Sequence, residues 1–92
     1  MRVNVRVSGQ LRAALGAASI ELTIGAGASA ADAVRQLADG RDAAVRAALL
    51  RDDGEIQPTL VIAVGSDQVA DAATLALQEG DTVTILHPIS GG

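Results

Sequence analysis

The chain has 92 residues, 49% hydrophobic and 20% charged, which suits a core in one small domain and is too apolar for a disordered chain. It contains no Phe, Tyr, Trp or Cys, which excludes aromatic stacking on nucleic-acid bases, disulfides, thiolate metal sites and a cysteine nucleophile. Eleven acidic against seven basic residues give a net charge of -4, so broad attraction to nucleic acid or an anionic membrane is not expected.

The first segment alternates: Val3, Val5 and Val7 on one face, Arg2, Asn4 and Arg6 on the other, the period of a strand with one buried side. Ile20, Leu22 and Ile24 repeat the pattern, and the two runs are read as antiparallel neighbours joined by an irregular loop with room for a helical turn over residues 11–15. Gly25-Ala26-Gly27 ends the second strand. Ser29 then reads as a helix N-cap, with Asp32 three residues on, in a shortened capping box. Ala30, Ala33, Val34, Leu37 and Ala38 recur at helical spacing until Gly40. A second short helix is predicted over residues 42–51, with Val45, Ala48 and Leu49 inward, closed by the turn Asp52-Asp53-Gly54. Residues 60–64 are apolar on both faces, as in an interior strand or one whose outer face meets a partner. A turn at Gly65-Ser66-Asp67 leads to a short strand at Gln68-Val69, and Leu75 and Leu77 fall in a brief turn. Glu79-Gly80-Asp81 introduces the last strand, residues 82–86, which Pro88 stops. The fold class is α+β, a mixed sheet with helices on one face, in a single domain over 1–92 with a flexible tail over 87–92. Its core is predicted from Val3, Val5, Val7, Ile20, Leu22, Val34, Leu37, Ile62, Val83 and Ile85.

Few residues carry chemistry. Gly25-x-Gly27-x-x-Ala30 has the letters of a dinucleotide-binding loop, but no second βαβ unit follows and the preceding strand is read as antiparallel, so it is taken as a turn. The single His87 lacks partners for a metal site or a triad and is read as a surface residue; Asp52-Asp53 is read as a solvated turn. No metal or bound cofactor is expected. All seven basic residues are arginine, so the chain offers no lysine for a Schiff base or as an isopeptide acceptor. No apolar run approaches the ~20 residues that span a bilayer, and polar residues interrupt the opening Met1-Arg2-Val3-Asn4-Val5 unlike a signal peptide, so a soluble cytoplasmic protein is expected.

The end of the sequence is different. Gly91-Gly92 places a carboxylate on two residues without side chains, thin enough to thread a narrow channel and open to attack at the carbonyl. Such a carboxylate can attack the α-phosphate of ATP, giving an acyl adenylate that a sulfur nucleophile displaces.

On these residues the chain resembles the bacterial sulfur carriers of the ubiquitin-like β-grasp superfamily: the molybdopterin synthase small subunit (MoaD), the thiamin carrier ThiS, and a related carrier of cysteine biosynthesis. The run from Glu79-Gly80-Asp81 through Thr82-Val83-Thr84-Ile85-Leu86 to His87-Pro88-Ile89-Ser90-Gly91-Gly92 looks like the family's acidic turn, last strand, proline-containing linker and diglycine end. Leu60-Val61-Ile62-Ala63-Val64-Gly65 looks like its third strand. His87 stands where the molybdopterin subunits commonly have a proline, and Leu86 where they often carry an aromatic.

The resemblance implies a β-grasp sheet of about five strands and a carrier without an active site of its own. An ATP-dependent activating enzyme (MoeB/ThiF-like) would adenylate Gly92, and a sulfur donor would convert it to a thiocarboxylate. A sulfur-accepting enzyme, the molybdopterin synthase large subunit or an equivalent, would receive the sulfur. Gly91 would give reach, while Ser90, Ile89 and Pro88 would direct the tail. Leu86 and Val61 are the expected partner interface, with no role for nucleic acid or membrane. Molybdopterin biosynthesis is the leading pathway; thiamin, cysteine or tRNA thiolation remain alternatives, as does a protein modifier conjugated through Gly92. A non-covalent adaptor ending in glycines is the third reading.

Overall fold

The computed structural model describes residues 1–69 and 75–86. The expected tail, with His87, Pro88, Ile89, Ser90, Gly91 and Gly92, lies outside the described residues. The elements are β1 (Arg2–Val7), α1 (Gly9–Leu15), β2 (Ser19–Thr23), α2 (Ala30–Ala38), α3 (Ala43–Leu49), β3 (Val61–Val64), β4 (Asp67–Val69) and β5 (Thr82–Leu86). The strands form one mixed sheet in the order β2-β1-β5-β3-β4. As expected, β1 and β2 are antiparallel, with Val3 opposite Leu22 and Val5 opposite Ile20. The centre is a parallel pair, β1 with β5, with Val5 opposite Val83 and Val7 opposite Ile85.

The alternation of β1 survives intact: Val3, Val5 and Val7 are buried and Arg2, Asn4 and Arg6 exposed. The buried row packs with Val83, Ile85 and Ile62 against Val34, Leu37 and the alanines of α2, and against Val45 and Leu49 of α3. No aromatic ring keeps the layers apart, so Ala30, Ala33 and Ala38 let α2 lie close on the sheet. Two members of the predicted core differ. Ile20 and Leu22 are only partly buried, because β2 is the sheet edge and has a neighbour on one side alone. Leu11 takes a fully buried place, because the predicted single turn is a seven-residue helix, α1, closed by Gly16 at a positive φ of 77°.

The start of α2 carries a complete capping box. The Ser29 side chain accepts the Asp32 backbone N–H at 3.1 Å, and the Asp32 carboxylate accepts the Ser29 N–H at 2.9 Å. That bond from the Ser29 backbone, supported by the Ser29 side chain and Arg35 against an opposing effect of desolvation, holds the Asp32 carboxyl below its ordinary pKa. Arg35 also straps the turn after α3 to α2: its Nε donates to the Gly54 carbonyl at 3.2 Å, and its guanidinium lies 3.5 Å from Glu55.

Leu37 is 1% exposed at the middle of the helix–sheet contact, so Leu37→Ala should cost about 2–5 kcal/mol. Urea denaturation measures this, and a near-zero change would put the helix face elsewhere. Because the folded-state pKa of Asp32 lies below the unfolded one, its carboxylate stabilises the fold at neutral pH, and that contribution fades as pH falls through the two values. Asp32→Asn should therefore lower stability at neutral pH and flatten its decline towards acid. Equal slopes for both proteins would remove the cap from the acid response.

Candidate functional site

The expected reactive end follows β5, so what seats β5 sets where the tail begins. The acidic turn does this with side-chain carboxylates and backbone groups together. Both Glu79 carboxylate oxygens accept the Arg2 N–H, at 3.2 and 3.1 Å. Gly80, at a φ of 83° that favours glycine, donates its N–H to the Arg2 carbonyl at 2.8 Å. The Asp81 carboxylate accepts the Gln78 N–H at 2.8 Å, and its carbonyl accepts the Asn4 N–H at 2.9 Å. The turn thus docks on the start of β1 before β5 runs alongside it.

From there β5 alternates, with Val83 and Ile85 buried and Thr82 and Thr84 half-buried on the opposite face. Leu86, the last described residue before 87–92, is 42% exposed. Register places it directly opposite Val61 on β3, with Thr84 opposite Ala63 on the next outer rung. Leu86 and Val61, expected together at an interface, are therefore one cross-strand pair on the face that no helix covers. Ala63 and Thr84 widen that pair into a small, weakly polar surface, and Arg6 flanks it beside Thr84. Alternation in residues 61–64 and 82–86 places Ala63 and Thr84 on this face, but only the register shows that they adjoin.

The other sequence candidates fall away for local reasons. At Gly25-Ala26-Gly27, the Ala28 N–H closes a turn on the Gly25 carbonyl at 3.1 Å, and the N-terminus of α2 is already occupied by the Asp32 carboxylate. A phosphate there would meet like charge. Asp53 accepts the Glu55 N–H at 3.0 Å in a local turn, as expected of a solvated loop. Among the described residues no group of three or more His, Cys, Asp or Glu could hold a metal, and no helix is long and apolar enough to cross a membrane. No described polar or charged side chain is buried.

The model of the ThiS family matches residues 5–92, nearly the whole chain. The chain belongs to the ThiS family. No curated protein sequence matches it. Solved structures agree on the fold. SAMP1 from Haloferax volcanii superposes with a TM-score of 0.87 at 21% identity, over 100% of both chains. A putative molybdopterin converting factor, subunit 1, from Pyrococcus furiosus gives 0.75 at 20% identity, over 97% of this chain and 99% of that one. The Amycolatopsis orientalis BexX/CysO complex gives 0.74 at 24%, over 98% and 99%. At these identities the likeness is one of fold, the ubiquitin-like β-grasp. ThiS-family membership makes the chain one of the small ubiquitin-like carriers or modifiers, which are generally non-catalytic.

Because Leu86 is exposed and lies outside the buried core cluster, Leu86→Asp should change stability by less than about 1 kcal/mol. Thermal or urea denaturation tests this. A larger loss would make the Leu86–Val61 pair part of the fold's support instead of a surface.

Proposed function

We propose that this ThiS-family chain is a sulfur carrier whose Gly92 carboxylate is the reacting group. The observation that carries the reading is the family match, which extends through the diglycine to residue 92. In the first step a Gly92 carboxylate oxygen attacks the α-phosphorus of ATP on an activating enzyme. The bond to the β-phosphate breaks and pyrophosphate leaves. In the second step hydrosulfide attacks the acyl carbon, and AMP and a proton leave, giving the thiocarboxylate. ATP belongs to the activating enzyme, and this chain supplies the carboxylate, its reach and its recognition. The Leu86–Val61 face lies at the root of residues 87–92, where an enzyme gripping the domain could guide the tail inward. Apolar patches of this kind commonly form interface centres.

Molybdopterin biosynthesis remains the leading destination of the sulfur, with thiamin, cysteine or tRNA thiolation as alternatives, all in the cytoplasm. The fold likeness to small archaeal modifier protein 1 (SAMP1) favours a second reading, a protein modifier in which Gly92 is joined to lysines of target proteins. The same adenylate serves both. With no lysine in the sequence, such a modifier would attach to targets without building chains through its own side chains.

Intact mass after incubation with ATP, sulfide and a cognate activating enzyme should show the gain of one sulfur in place of one oxygen. Deleting Gly92 should abolish that gain while changing stability by less than ~0.5 kcal/mol, since the carboxylate then falls one residue, roughly 3.3–3.6 Å, short of the phosphate. Adding a residue after Gly92 should be as damaging. Full-rate sulfur loading of either variant would reduce the diglycine to an ordinary chain end. Leu86→Asp should weaken association with the activating enzyme; unchanged binding would take Leu86 out of the interface.

A further inference from the structure

The β2 edge lies on the far side of β1 from the Leu86–Val61 face. At the two ends of the β1–β2 ladder, Ile24 exchanges both backbone bonds with Met1, and Ala18 accepts the Val7 N–H. Antiparallel pairing alternates every second residue, so Ile20 and Leu22 bond to β1 in the same phase. Ser19, Glu21 and Thr23 therefore turn their N–H and C=O groups outward. One of these groups is already taken: the Gln36 side-chain amide of α2 donates to the Thr23 carbonyl at 2.7 Å. Ser19 and Glu21 keep an open donor and acceptor each, and no described residue bonds them.

The side chains along this edge give the opening a chemistry. Ile20 and Leu22 are half-buried on the core face, whereas Ser19, Glu21 and Thr23 are exposed on the outer face. Glu21 is the strand's one charge. Across the ladder it meets the neutral Asn4, with Arg2 and Arg6 only diagonal to it, and the ion pairs among the described residues are those of Arg35 with Asp32 and Glu55.

We propose that the β2 edge receives an extended segment of a partner protein with the pattern apolar–basic–apolar. A strand added here forms up to four backbone bonds with Ser19 and Glu21. Its side chains beside Ile20 and Leu22 share the core face and are apolar. The one between them shares the outer face with Glu21 and is Lys or Arg, since opposite charges across a strand pair stabilise and like charges do not. A second copy of β2 is a poor occupant, because it brings another Glu21 opposite or diagonal to the first. Gln36 limits the added strand at the Thr23 end.

The test is an NMR titration of isotope-labelled protein with the blocked peptide acetyl-Thr-Val-Lys-Val-Thr-amide and with the same peptide carrying Glu for Lys. The lysine peptide should shift the amides of Ser19, Ile20, Glu21 and Leu22 and the Gln36 side-chain amide, and bind at least tenfold more tightly than the glutamate peptide. Glu21→Lys, at an exposed position that leaves the fold readable in the same spectrum, should reverse that preference. Equal response to the two peptides, no shift in β2 with either, or shifts that depend on protein concentration alone would overturn the proposal. The last result would assign the edge to self-pairing. None of these outcomes depends on whether Gly92 accepts sulfur.

Discussion

The pairing of β1 with β5 holds the molecule together. β1 is hydrogen-bonded on both sides, to β2 and to β5, and β5 in turn carries β3 and β4. Remove that one ladder and the sheet separates into the β2–β1 pair and the three strands β5, β3 and β4, with the buried core divided between them. The buried valines of β1 and the buried Val83 and Ile85 of β5 form the floor on which α2 and α3 rest. The acidic turn 79–81 locks this pairing with bonds to Arg2 and Asn4, so the last strand is fixed in register from its first residue.

This arrangement separates support from function. Helices, caps and apolar core lie on one side of the sheet, and the exposed groups that could meet partners lie on the other face or on its edge. The core is wholly aliphatic, and no described polar side chain is buried in it. Such a core specifies shape and little else. What the described scaffold offers to other molecules lies on its surface.

Much of this is legible in the residues themselves. The valine alternation of β1, the Ser29–Asp32 box and the stripe of α2 each rest on local periodicity or local hydrogen bonding, which sequence encodes directly. The partial exposure of Ile20 and Leu22 does not, because it follows from β2 being at the edge, and strand order is a non-local property. Leu11 is a similar case: a short apolar turn between glycines gives no periodicity long enough to mark a buried helix. At the proposed interface, Leu86 and Val61 are legible together as apolar residues on the face that helices leave open, whereas their direct apposition comes from register. The diglycine lies outside the described residues, so its proposed role rests on its chemistry and not on the fold.

The central place of β5 has a consequence for synthesis. The strand that completes the sheet is also the last to leave the ribosome, so the nascent chain has β1 to β4 but no middle to join them. Val5 and Val7 wait with an unpaired ladder until Val83 and Ile85 arrive. A product that terminates before β5 lacks Val83 and Ile85 from the middle of its core, and stays open to proteases. Quality control is thereby written into strand order: the sheet closes only once its last described strand has been made.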